Sequence, residues 1–274
     1  MRWGLERVSV NYGRRAALRD VSFDVTPGSV LAIVGGDGAG KTTALRSLVG
    51  LVRMRSGRVN RPPIERIGVV PASSGVYPDL TVMENLDFAA RSYGVPKQEA
   101  ARRADELLES TGLTSARDRL GSQLSGGMRQ KLAIVMGLVH DSELLVLDEV
   151  TTGVDPVSRA ELWRLIARAV AHGSAAVVAT TYLDEAERAS SLVVLHEGRV
   201  LLSGSPIKAL SSVPGTVYEL KGRPATKHSW RRGVHWRTWG PPGRPPEGGI
   251  AIDHDLQDAV IVAALRGAEG GEAA

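Results

Sequence analysis

Apolar and polar residues alternate along LERVSV (residues 5–10) and DVSFDV (20–25), and SVLAIV (29–34) follows a Pro27–Gly28 turn, so three short strands are predicted. A glycine-rich loop comes next, and TTALRSLVGL after it has helical spacing that ends near Gly50. Strand-like IGVV (67–70) precedes a loop in which Thr81, with Glu84 three residues on, reads as a capping box. Helices are predicted over 82–93 and 96–111, parted by Gly94 and Pro96, and from Ser125 to Val139. LLVL (144–147) is short and continuous, as expected of a parallel strand buried on both faces. Helix 157–171, strand AAVVAT (175–180), helix 183–190 and strand LVVLH (192–196) carry the alternation of an α/β fold onward. Past residue 212 the rhythm breaks: Pro and Gly crowd 214–249 before a last helix at 255–266. The chain thus divides into a main domain, 1–212, and an accessory region, 213–274, with no internal repeat.

No apolar run approaches the ~18 residues of a membrane-spanning helix, and the amino terminus lacks the long apolar stretch of a signal peptide. If the protein works at a membrane, another chain is expected to cross it. Cysteine is absent, which removes disulfides and thiolate metal sites and fits a reducing compartment. The net charge of +4 says little, but its distribution says more: Lys221–Pro246 holds seven Lys or Arg residues, no acid, and three of the five tryptophans.

Gly35-Gly36-Asp37-Gly38-Ala39-Gly40-Lys41-Thr42 fits G-x-x-x-x-G-K-[ST] between a predicted strand and a predicted helix. Glycines let such a loop turn its backbone N–H groups toward phosphates, and the helix N-terminus adds partial positive charge. Lys41 can reach the outer phosphates, the Thr42 hydroxyl can ligate Mg²⁺, and Thr43 continues the helix start, so ATP with Mg²⁺ is the expected ligand pair.

LSGGMRQ at Leu124–Gln130 lies about twenty residues before LLVLDE. With the phosphate loop, this segment resembles the ATP-binding-cassette family, whose signature element reads LSGGQ. The resemblance implies a P-loop NTPase (RecA-like) core with an antiparallel β subdomain, an inserted helical subdomain over about 78–140, and a small C-terminal α+β appendage. It implies that Ser125, Gly126 and Gly127 present donors to the γ-phosphate held by a second subunit, and that Tyr12 stacks on adenine. Asp148 would hold the Mg²⁺ shell, Glu149 would polarise the attacking water beside Lys41, and Asp155 would touch the opposite subunit. Ser125 also suits a plain helix cap, and Asp155 a turn before Pro156. GVDPVSRAELWRLI and YLDEAER are most similar to the drug- and antibiotic-export branch, particularly the first ATPase half of tandem exporters, whose terminal helix DLQDAVIVAAL echoes.

Two positions depart from the family pattern. A glutamine is usual where this chain has Ala72, and a histidine where it has Thr181. Alanine has neither donor nor acceptor, and threonine is short and uncharged. Losing a positioned transition-state contact costs about 10²–10³ in rate, so turnover should suffer more than binding. The expectation is an ATPase subunit with a slow site of its own, completed by a second ATPase subunit, with a heterodimer favoured over a homodimer. An integral-membrane permease would be the other partner, placing the chain peripherally at the cytoplasmic face of the membrane. The alternative is a soluble cassette ATPase or ATP clamp acting on nucleic acid or ribosomes, or a clamp that never turns over. Such soluble proteins usually carry two cassettes or a long coiled-coil insertion, and this chain has neither. The basic, Trp-rich tail is read first as a structural β-rich appendage, with a membrane-facing surface or nucleic-acid binding left open; nucleic acid is the least favoured partner.

Overall fold

A computed structural model describes residues 1–224 and 226–272 of the chain, with 268–272 described by backbone alone. Strands β1 (Trp3–Tyr12), β2 (Arg15–Val25) and β4 (Ser56–Asn60) form an antiparallel sheet in the order β2-β1-β4. Leu5 and Val8 are three residues apart yet both buried, which a regular strand forbids. The pairing with β2 shifts between them, and Arg7 adopts φ 48°, so a bulge returns both to the core face. β4 escaped sequence reading because it is a mostly exposed edge strand with no buried apolar residue.

The central sheet has the order β5-β6-β7-β3-β8-β9, built from β3 (Val30–Val34), β5 (Ile67–Val70), β6 (Leu144–Asp148), β7 (Ala175–Thr180), β8 (Ser191–His196) and β9 (Arg199–Gly204). The first five strands are parallel, and β9 returns antiparallel to β8. β3, β6 and β7 are buried at every residue, and alternate side chains serve two cores. Leu31, Ile33, Val146 and Val177 pack with the antiparallel sheet and helix α1 (Lys41–Leu48). Ala32, Val34, Leu147 and Val178 pack with the opposite helical layer. Such two-sided burial is why these strands read as continuous apolar runs.

That layer comprises α2 (Val82–Ser92), α3 (Lys97–Thr111), α4 (Gly126–Leu138) and α5 (Pro156–Ala171). The expected capping box at α2 is present: the Glu84 amide donates to Thr81 Oγ1 (3.2 Å) and the Thr81 amide to Glu84 Oε2 (2.7 Å). α4 lies so close on β5 that a Cβ on Gly68 would come within 2.0 Å of the Gly137 carbonyl oxygen. The helix expected over 183–190 is shorter, α6 (Leu183–Ala186). Ser190 already pairs with Val30 of β3 through its amide (2.9 Å) and hydroxyl (3.2 Å), which draws the chain straight into β8.

A short helix, α7 (Pro206–Ser211), leads into the C-terminal region. β10 (Thr216–Leu220), β11 (Ser229–Arg232), β12 (His235–Gly240) and β13 (Ile250–Ile252) form an antiparallel sheet in the order β11-β12-β10-β13, followed by α8 (Leu256–Glu272). α8 outruns the expected 255–266, and Asp255 and Asp258 cap its start by exchanging amide-to-carboxylate bonds of 3.0 and 3.2 Å. Val213, Val217, Leu256, Ala259 and Val262 join the same apolar cluster as Val194 and Leu202, so the appendage shares the main core.

Candidate nucleotide site

Parallel strands bring their C-terminal ends together, and loops leaving there are where α/β sheets build sites. The loop after β3 turns through Gly38 (φ 75°) and Gly40 (φ 110°), with Gly40 at the N-cap of α1. A Cβ at Gly40 would stand 2.9 Å from the Ala17 carbonyl oxygen, so only glycine fits that left-handed, crowded position.

Lys41 opens α1 with only 4% of its side chain exposed. Its Nζ donates to the carbonyl oxygens of Gly35 (2.8 Å) and Gly36 (3.1 Å) and stands 3.0 Å from Glu149 Oε1. The Thr42 hydroxyl donates to Asp148 Oδ1 at 3.2 Å, across from the end of β6. Burial raises the Asp148 carboxyl above the ordinary carboxylate range; the Thr42 bond, Lys41 and Arg46 pull it back, and neighbouring Glu149 adds to the rise. Glu149 adopts φ 52°, a left-handed conformation uncommon outside glycine, and its amide donates to the Ala179 carbonyl (3.0 Å).

A cleft of about 710 Å³ gathers Tyr12, Asp37, Gly38, Ala39, Gly40, Lys41, Thr42, Thr43 and Glu149. Its other wall is Arg15, Ala17 and Arg19, alternate residues of β2, with Ala16 and, from the β8–β9 turn, Glu197. The period of two along β2 was the available signal for the arginines, but a strand edge becomes a cleft wall only once the loop folds against it. Gly35 and Gly36 are held through the Lys41 ammonium.

Ser125, Gly126, Gly127, Asp155 and Thr181 do not line this cleft. Ser125 caps α4, its Oγ accepting from the Met128 amide (3.2 Å), and Gly127 packs where a Cβ would meet Ser158 Oγ at 2.7 Å. Asp155 caps α5, accepting from the amides of Val157 and Ser158 at 3.0 Å each; hydrogen bonds from Ser158 and then Val157 hold its carboxyl below the ordinary value. Ala72 is exposed in the turn after β5, and Thr181 is exposed just past β7. One group went unremarked in the sequence: fully buried Glu185 of α6, which accepts from Thr180 and Thr151.

The family model described as ABC transporter matches residues 18–152. The Nod factor export ATP-binding protein I of Paraburkholderia xenovorans is 35% identical over 221 residues, covering 77% of this chain and 73% of that protein. The chain belongs to the ABC transporter family. A probable multidrug ABC transporter ATP-binding protein, YbhF of Escherichia coli, is 39% identical over 207 residues, 72% of this chain; the match spans only 36% of YbhF. Among solved structures, an ATP-binding subunit of an ABC transporter has a TM-score of 0.71 at 29% identity, covering 77% of this chain and 93% of that one. The cbiO1 protein of Clostridium perfringens, part of the cbiONQ transporter complex, gives 0.68 at 29% identity, covering 76% and 90%. The fold is therefore the P-loop NTPase fold of ABC cassettes, a family that binds ATP with Mg²⁺ and hydrolyses it. Among the described residues, no helix is long and apolar enough to cross a membrane.

Proposed function

We propose that the chain is the nucleotide-binding subunit of an ABC exporter, binding ATP in the cleft between β2 and the phosphate loop and hydrolysing it slowly. The observation that carries this reading is the buried Lys41 ammonium, set between the loop carbonyls and Glu149 beside the Thr42–Asp148 pair. Thr42 and Asp148 fit Mg²⁺: two hard oxygen groups lie side by side, the number a protein usually gives when phosphates supply the other ligands. Bound Mg²⁺ would neutralise charge on the outer phosphates. Lys41 binds and orients those phosphates, Tyr12 covers the base, and Glu149 positions and polarises water once its ion pair with Lys41 opens.

Ala72 and Thr181 support slow turnover. At 72 a methyl group offers no ligand, and at 181 an exposed hydroxyl replaces a longer ring donor. Ser125, Gly126, Gly127 and Asp155 lie outside this chain's own cleft, which favours their serving a second ATPase subunit, and the asymmetry favours a heterodimer. For the membrane partner, Tyr77 and Phe88 stand beside the Ala72 loop, about half exposed, in an edge-to-face pair with centroids 4.9 Å apart. Exposed aromatic surface of this kind suits a permease at the cytoplasmic face of the membrane. Against nucleic acid as partner, the key tail residues are already engaged: Trp230 with Asp258, Arg232 with Asp255, Arg237 with Asp258, and Trp239 with the Pro214 carbonyl.

The test is Mg-ATP binding and steady-state hydrolysis of the unmodified chain, Lys41→Ala and Thr181→His. Tight binding lost in Lys41→Ala, with slow turnover raised by Thr181→His, is the expected result. Brisk turnover by the unmodified chain would overturn the slow-site reading and make a homodimer sufficient.

A further inference from the structure

Glu185 is fully buried, yet none of the roles above uses it. Its Oε2 accepts from Thr180 Oγ1 at 2.6 Å and from Thr151 Oγ1 at 2.9 Å. Oε1 faces Arg159 Nε at 3.7 Å, too far for a hydrogen bond but close enough to balance charge. Each partner belongs to a different segment of the candidate site. Thr151 lies two residues past Glu149, and Thr180 immediately precedes Thr181 and accepts from the Tyr182 amide at 3.0 Å. Arg159 donates its amide to the Asp155 carbonyl (2.9 Å) and lays its guanidinium 4.1 Å from the Tyr182 ring centroid.

These contacts hold Glu149 from both sides. Its own amide is tied to Ala179 of β7, and the segment after it is tied through Thr151 to Glu185. A non-glycine residue keeps a left-handed φ only where its surroundings over-determine it, and here two anchors do so. We propose that Glu185 is a positioning residue for hydrolysis: its carboxylate fixes the Glu149 backbone, and with it the carboxylate beside Lys41, relative to the turn presenting Thr181. The proposal rests on the reading that Glu149 positions water at this site. It does not require the site to be slow.

The test uses the full chain with Glu185→Leu and Glu185→Gln. Leucine removes the acceptor; the glutamine carbonyl can still accept both threonine hydroxyls but no longer balances Arg159. Mg-ATP affinity should stay within about threefold in both, because the phosphate loop is untouched. The single-turnover hydrolysis rate, with enzyme in excess, should fall about tenfold to a hundredfold in Glu185→Leu and largely recover in Glu185→Gln. Thermal stability should fall in both, so rate would follow the acceptor while stability follows the charge. Amide exchange at Thr152, Val154 and Tyr182 should rise together in Glu185→Leu. An unchanged rate in Glu185→Leu, a glutamine variant no better than leucine, or affinity lost in step with rate would overturn the proposal. Brisk turnover in the unmodified chain would sink the slow-site reading while leaving these ratios decisive. If hydrolysis falls below detection, exchange decides: a joint rise supports the proposal, and a rise confined to 183–187 overturns it.

Discussion

The C-terminal appendage offers a sharp test of what its basic, aromatic segment is for. Asp258 of α8 is fully buried, and three groups converge on it: the Arg237 guanidinium, Trp230 Nε1 at 3.2 Å and the Asp255 amide at 3.2 Å. Arg232 adds a longer contact of 3.7 Å. Replacing Asp258 with alanine strands Arg237, whose side chain is only 16% exposed. Breaking a buried ion pair from one side costs about 3–5 kcal/mol. Asp255, 3.8 Å from Arg237, and Glu219, 4.0 Å away, survive and soften the loss, so about 2–4 kcal/mol is expected. At about 2–4 °C per kcal/mol for a chain of this class, the melting midpoint should drop by roughly 4–16 °C. Trp230, Trp236 and Trp239 all lie in the appendage sheet, so thermal melts followed by tryptophan fluorescence report the change directly. Asp258→Asn keeps one of the two acceptor oxygens, enough for Trp230 Nε1 on one side or for Arg237 and the Asp255 amide on the other, and should lose less. A midpoint within 1 °C of the unmodified chain in Asp258→Ala would refute the reasoning and free these arginines for an external anion.

Two further outcomes follow from local geometry. His140 is buried and stacks on Tyr93 with ring centroids 3.6 Å apart. Burial lowers its pKa from 6.5 to about 4; Arg103 and Arg66 push the same way, and the Ile67 backbone and Asp141 oppose them. The unfolded chain therefore binds a proton that the folded chain refuses between those two values. Stability is full above pH 6.5 and falls by at most about 3 kcal/mol as pH drops toward 4, a slope that His140→Phe should flatten in melts across that range. Thr81→Ala removes the N-cap acceptor of α2 and should cost about 1 kcal/mol, seen as a lower melting midpoint that Thr81→Ser avoids.

Most of the central sheet was legible because its strands are buried on both faces, so LLVL and AAVVAT stand out as unbroken apolar runs. The phosphate loop and the Thr81 cap were legible because their chemistry is local: residues a few positions apart bond one another. What escaped depends on distant partners. β4 is an edge whose pattern carries no apolar alternation, and β11 and β12 hide theirs behind Trp and Arg side chains whose partners, Asp258 of α8 for Trp230 and Arg237 and the Pro214 carbonyl for Trp239, lie about 20 to 30 residues away in the chain. The bulge at Arg7 shows only as a break in strand period between Leu5 and Val8. Glu185 reads as one acid in a charged helical run. Nothing local tells that it is buried, since Thr151 lies 34 residues away.

The same distinction bears on how the proposed slow site would work. Lys41 faces two demands on one ammonium: loop carbonyls and Glu149 hold it now, and phosphates would have to replace Glu149 as its partner. The loop carbonyls offset only part of the desolvation of an ammonium buried this far, and an anionic partner supplies the rest. Phosphate oxygens can take that place, so nucleotide entry and release of the Glu149 carboxylate would be one exchange rather than two events. Under the proposed reading, binding would then ready the carboxylate that positions water even where position 181 lacks a ring donor to finish the reaction. A site built in this way retains tight binding when contacts specific to the transition state are removed. That is the behaviour expected of a subunit whose closed, ATP-loaded state serves its partner more than its own turnover does.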